Sequence, residues 1–215
     1  EVLGLQVATS ETGAAWTAFL ADLVARGLTG VRLVTSDAHR GLVEAIAANL
    51  HGAAWQRCRT HYSANLMSVT PKSMWPAVKA MLHSVYEQPD AESVNAQYDR
   101  LIEYTADKLP TVAEHLANAR EDLLAFTAFP KDVWTQIWSN NPNERLNKEI
   151  RRRTDAVGIF PTREAITRLV GAVLAEQNDE WAEARRYFSL PVLHRPPTIT
   201  DPSPPHTRTL SHLTR

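Results

Sequence analysis

Three features of the sequence predict an α/β core that carries a separate all-helical block. Over residues 2–58, short apolar runs alternate with amphipathic stretches. That is the pattern of strands joined by helical crossovers, with at least one parallel pair. Over residues 62–127 the apolar spacing is helical, with little strand signal. The chain has 215 residues and is 44% hydrophobic, enough for one sizeable core or a core with a helical attachment.

In chain order, Val2 to Ala8 is short, mostly apolar and closed by Thr9-Ser10-Glu11-Thr12-Gly13, so it reads as a strand and a turn. Trp16, Phe19, Leu20, Leu23 and Val24 recur at helical spacing between Ala14 and Arg26, and Gly27 is a natural stop. Val31 to Ser36 is a buried-type strand that ends in Asp37. A helix from about Leu42 to Leu50 follows, then a further strand over Ala53 to Cys58. Three helices are expected over Pro71–Tyr86, Ala91–Leu109 and Thr111–Phe126, with breaks near Gln88-Pro89-Asp90 and at Pro110. Val133, Trp134, Ile137 and Trp138 precede an Asn-rich turn. A helix then starts, with Asn141 as its cap and Pro142 in its first position, and ends near Val157-Gly158. Pro161 to Trp181 is a final amphipathic helix. The segment from Ser189 onward, rich in Pro and poor in large apolar residues, is expected to be disordered. These readings divide the chain into a partial α/β core (1–61), an all-helical insertion (62–130), C-terminal helices (131–188) and the tail (189–215).

The net charge of −1 and a pI of about 6.8 exclude a global basic signal for nucleic acid, so any such signal is local. A single cysteine excludes an internal disulfide and suits a reducing compartment. No apolar run approaches the length of a membrane span.

Two carboxylates stand out. Asp37 lies at the carboxyl end of an apolar strand, where ligands bind in open α/β sheets, although an Asp there also caps helices. Glu144 shares a helix face with Lys148 and Arg151, while Leu146 and Ile150 form the opposite, core side. Its position three residues after Asn141 also suits a capping box. A carboxylate that holds a metal beside cations that hold phosphates is what phosphodiester chemistry needs. Magnesium takes oxygen ligands and keeps several waters, so a few carboxylates suffice. Arg145, Lys148, Arg151, Arg152 and Arg153 are the local basic run, with Arg185-Arg186 a second basic spot. Cys58-Arg59-Thr60-His61 has metal-like spacing, but a structural zinc site normally needs four ligands. Ordering of a loop through hydrogen bonds is the plainer reading of that pair.

The chain resembles the Mutator-type transposases of bacterial insertion sequences. The resemblance rests on Val34-Thr35-Ser36-Asp37-Ala38-His39-Arg40-Gly41-Leu42, on Gln56-Arg57-Cys58-Arg59-Thr60-His61 and on Asn143 to Thr154. Val157 to Pro161 and Trp181 to Tyr187 also match, so the likeness covers roughly residues 1–188, with its motifs in order. It implies an RNase H-like core with an all-α insertion before its last acid. It implies Asp-Asp-Glu chemistry on two Mg2+ (or Mn2+) ions, with DNA, at element ends and target, as partner. It further implies a homo-oligomeric synaptic complex, no membrane, and a bacterial cytoplasmic, nucleoid-associated setting. Asp37 matches the second acid and Glu144 the third. Cys58 and His61 match a Cys-x-x-His pair carried between these acids.

The resemblance puts the first acid, the first strands and the end-recognising DNA-binding region upstream of Glu1, and neither Glu1 nor Glu11 substitutes for that acid. The expectation is therefore that these residues alone do not fold into a stable active enzyme, because the Val2–Ala8 strand, which the resemblance makes the third of the sheet, and the Asp37 strand lose the neighbours that join them. Two alternatives to an incomplete transposase catalytic region stand: a DNA-binding remnant without catalysis, and an RNase H-like nuclease without strand transfer.

Overall fold

In the computed structural model, which describes residues 1–183, a β-α-β unit holds the sheet. Strand β1 (Leu33–Ser36) and strand β2 (Ala54–Arg57) pair in parallel, with Leu33 beside Ala54 and Ser36 beside Arg57. Helix α1 (Gly13–Ala25) precedes β1, and helix α2 (Arg40–Asn49) joins the two strands. Among the described residues the architecture is mostly helical with this one small sheet, which is compatible with the α/β expectation.

Helix α1 starts where the Thr12 hydroxyl accepts the Ala15 N–H at 3.2 Å, and the chain leaves it through Gly27 at φ +103°. Helices α1 and α2 approach each other at two glycines. A Cβ on Gly41 would lie 2.7 Å from the Gly13 backbone, so a side chain there would push the helices apart. Leu20, Leu23, Ala45, Ile46 and Leu50 are buried between these helices and the sheet.

The Val2–Ala8 strand is not formed. A strand needs a hydrogen-bonded neighbour, and among the described residues this segment has none. Side chains serve part of its backbone instead: Asn178 Oδ1 accepts the Val2 N–H, and Arg26 donates to the Leu3 carbonyl.

After β2 the chain turns at once into helix α3 (Arg59–Ser68). Helices α4 (Trp75–Tyr86), α5 (Ala91–Ala106) and α6 (Pro110–Leu124) follow and match the three expected segments, with α4 starting later, α5 and α6 ending earlier, and α6 taking in Pro110. Asp90 caps α5 by accepting the Ser93 N–H at 2.8 Å, and Pro110 opens α6. The core of this bundle includes Tyr62, Leu66, Val78, Val94, Leu101 and Leu116, and it extends to Trp134 and Trp138. Trp134 opens the short helix α7 (Trp134–Ile137) and Trp138 is its C-cap. Burial pushes the Tyr62 phenol up to about 12 and raises those of Tyr86 and Tyr98 too, so all three stay neutral at physiological pH.

Gln56 ties the sheet to the bundle. Its side chain is completely buried, donates to the Leu123 carbonyl at 2.8 Å and accepts the Phe126 N–H at 2.7 Å.

Helix α8 (Asn141–Val157) ends at Gly158, with φ +77°, and helix α9 (Arg163–Glu183) packs against it. Leu146 is buried with Val170, Val173 and Leu174, and Ile150 packs on the same cluster. The expected core side of α8 is therefore the observed one. No helix of the described residues is long and apolar enough to cross a membrane. The Pro-rich tail and Arg185-Arg186 lie outside the described residues.

Candidate metal centre and nucleic-acid interface

The carboxyl end of the sheet is stitched to the segment that leads into α8. Thr35 Oγ1 donates to the Ile137 carbonyl (2.5 Å), and the Arg59 N–H donates to the Trp138 carbonyl (3.0 Å). The Cys58 thiol donates to Asn140 Oδ1 (2.8 Å), and Thr60 Oγ1 donates to Asn141 Oδ1 (3.1 Å). The Cys58 N–H in turn donates to the Ser36 carbonyl (2.7 Å), which closes the path back to the end of β1. The Arg59 guanidinium adds a stacking contact, 4.1 Å from the Trp138 ring centre and 5.1 Å from that of Tyr86. These bonds bring the residues after β1, the start of α3 and the start of α8 to one end of the sheet.

Asp37 follows β1 and is exposed. It is not the cap of α2. His39 holds that position, and its Nδ1 accepts the Leu42 N–H at 3.3 Å. Among the described residues, Asp37 Oδ1 receives a single long bond, from the His39 N–H at 3.4 Å.

Glu144 corrects the expected helix start. The cap of α8 is Asn140 rather than Asn141, and its side chain makes no capping bond because its amide oxygen faces the Cys58 thiol. Nor does Glu144 fold back to close a capping box. Its Oε1 is buried, without a hydrogen-bond partner, 3.8 Å from Nε2 of His61. Cys58, His61 and Glu144 each offer one ligand atom, all within 4.8 Å of one another; Asp37 is not a member of that group.

Cys58 and His61 are also not in a loop. Cys58 caps α3 and His61 lies in its first turn, so one helix start carries both. The sequence signal that could have found this was the helical continuation Tyr62, Leu66 behind the pair.

The basic run on α8 divides in two. Arg152 and Arg153 both reach Glu149 (2.7 and 2.9 Å), and Arg153 also reaches Glu176 of α9 (2.8 Å). The two guanidiniums hold the Glu149 carboxyl down at about 2. Arg145, Lys148 and Arg151 are exposed, and no ion pair is recorded for them among the described residues. Local electrostatics therefore leave three of the five cations available to an outside anion.

The family model described as "Transposase, Mutator family" matches residues 1–184. This chain belongs to the Mutator family of transposases. The transposase for insertion sequence element IS1081 of Mycobacterium tuberculosis is 70% identical over 195 residues, 91% of this chain and 47% of that protein. The transposase for ISRM5 of Rhizobium meliloti is 36% identical over 190 residues, 88% of this chain and 48% of its own length. The transposase for IS256 in transposon Tn4001 of Staphylococcus aureus is 33% identical over 190 residues, 87% and 48%. The chain spans about half the length of these curated relatives. Three stretches that carry its Mutator-family resemblance, around Asp37, around Cys58 and His61, and around Glu144, meet through the hydrogen bonds described above.

Proposed function

We propose that this chain is part of the catalytic region of an insertion-sequence transposase, with an RNase H-like core whose second and third acids are Asp37 and Glu144. The observation that carries the reading is the hydrogen-bonded path from Ser36 through Cys58 to Asn140, which ties the strand before one acid to the helix start before the other. The donor chemistry fits a hard divalent cation: both groups are carboxylates, and Glu144 Oε1 is withdrawn from solvent without a hydrogen bond. Asp37 and Glu144 would then hold Mg2+ or Mn2+. A pair of such ions, when bound, supplies the Lewis acidity that activates an attacking oxygen and stabilises a leaving one in strand cleavage and strand transfer. Arg145, Lys148 and Arg151 hold the DNA backbone beside those acids through its phosphates. Several protomers assemble around the element ends.

The test is made in the IS1081 transposase, at the positions matching Asp37 and Glu144. Asp→Asn or Glu→Gln there should lower cleavage of element-end DNA by about a hundred-fold or more, because even outer partners of metal ligands cost 10–100-fold. DNA binding should stay near its starting value. Cleavage at the unsubstituted rate in either variant refutes the assignment. A competing reading, DNA binding without cleavage, draws on the direction of Glu144, which faces His61. Scoring joined products in the same assay separates strand transfer from simple nuclease action.

A further inference from the structure

Glu144 lies with Cys58 and His61, and this grouping points to a second kind of cation. We propose that Cys58, His61 and Glu144 form a binding site for a borderline transition-metal ion of the zinc type, separate in chemistry from a hard-cation site. The three side chains supply one sulfur, one imidazole nitrogen and one carboxylate oxygen, within 4.8 Å of one another. A tetrahedral zinc with bonds of about 2.0–2.3 Å sets its ligand atoms roughly 3.5 Å apart. Side-chain rotations of about an ångström thus close the site from this geometry. Magnesium and calcium favour all-oxygen sets, whereas thiolate and imidazole select zinc, cobalt or iron.

A second observation is independent of the residue types. Glu144 Oε1 and His61 Nδ1 are both buried atoms without a hydrogen-bond partner. Buried polar atoms are rarely left unpaired, and the orphaned Glu144 oxygen, 3.8 Å from His61 Nε2 and grouped with the Cys58 thiol, leaves a place for a cation. An ion can enter, because the side chains of His61 and Glu144 keep 43% and 35% of their surface exposed while Cys58 is enclosed.

The surroundings suit the role. Cys58 caps α3, with His61 one turn further on, and the Thr60–Asn141 and Arg59–Trp138 bonds fix that helix start against α8. On binding, the Cys58 thiol releases its proton to the buffer. The sulfur then stops donating to Asn140 Oδ1, and the Asn140 amide turns its NH2 group toward the thiolate. Three protein ligands leave a fourth position open to water or to a phosphate oxygen, the arrangement of reactive rather than purely structural zinc sites. The site stands on its own three side chains whether or not Glu144 also acts with Asp37. Where it does, the two ions compete for one carboxylate.

Cobalt(II) titration of the metal-free 215-residue chain tests the site. The expected result is a near-ultraviolet thiolate-to-cobalt charge-transfer band together with visible bands of tetrahedral intensity, both abolished by stoichiometric Zn2+ and untouched by excess Mg2+. Cys58→Ser should remove the charge-transfer band. Glu144→Gln, at a partly exposed position, should keep the fold and weaken cobalt binding about 10-fold or more. The proposal is overturned if a sample that is helical by circular dichroism shows neither band, if the band survives Cys58→Ser, or if Glu144→Gln binds cobalt with unchanged affinity. Because the readout is spectroscopic, its failure is separate from a failure of DNA cleavage.

Discussion

Gln56 is a polar side chain with no exposure, and it has that place because its one amide serves two backbone groups of the helical block. Replacing it with Leu keeps the volume and leaves the Phe126 N–H and the Leu123 carbonyl unpaired in the core. Stranding buried groups of this kind costs about 1–3 kcal/mol each. Gln56→Leu should therefore lower stability by about 2–4 kcal/mol, read as a fall in Tm of roughly 5–10 °C for a domain of this size. An unchanged Tm would mean that the sheet and the bundle are not held together through this amide. Cys58 works at the same scale through its backbone, whose N–H holds the end of β1, and through its thiol, which faces Asn140.

Helices α8 and α9 are joined by apolar packing through Leu146, Val170, Val173 and Leu174, and by the Glu149, Arg153, Glu176 ion chain. The Glu149 carboxyl is depressed from its usual 4.5 to about 2 by Arg152 and Arg153. A carboxyl lowered in the folded state stabilises fully above its unfolded pKa and loses that contribution as pH falls through the folded one. The packing of α8 on α9 should weaken between about pH 4.5 and 2. Glu149→Gln should remove that part of the acid dependence when unfolding is followed at several pH values in that range. Unfolding curves that keep their pH dependence in the variant would place the acid sensitivity elsewhere.

The molecule as a whole is nearly neutral, so on the function proposed above any attraction to DNA would come from local fields. Arg145, Lys148 and Arg151 sit exposed on α8, whereas Arg152 and Arg153 are engaged by acids. Each lost phosphate contact reduces the slope of log affinity against log salt by roughly one unit. Ala at Arg145, Lys148 or Arg151 should give about that loss, measured by anisotropy on an element-end duplex at several salt concentrations. Ala at Arg152 should change the slope much less, since its charge is already paired with Glu149. Equal effects at all of these positions would argue against the division of the basic run.

Local pattern was enough to read the elements whose stability is local. The apolar spacing of α1, α4, α5 and α6, the Gly27 and Gly158 stops and the Leu146–Ile150 core side all follow from periodicity and glycine chemistry in the chain itself. The membership of the Mutator family was legible too, because its motifs are contiguous runs of sequence in a set order. Features that depend on a distant partner were not legible. Val2–Ala8 has strand composition, but pairing is a property of two segments, and side chains of Arg26 and Asn178 take its backbone groups instead. Glu144 sits where a capping box would use it, yet its Oε1 lies 3.8 Å from Nε2 of His61, more than 80 residues earlier in the chain. Periodicity can place a carboxylate on a helix face; only the tertiary contact between two helix starts decides that it meets a thiol and an imidazole.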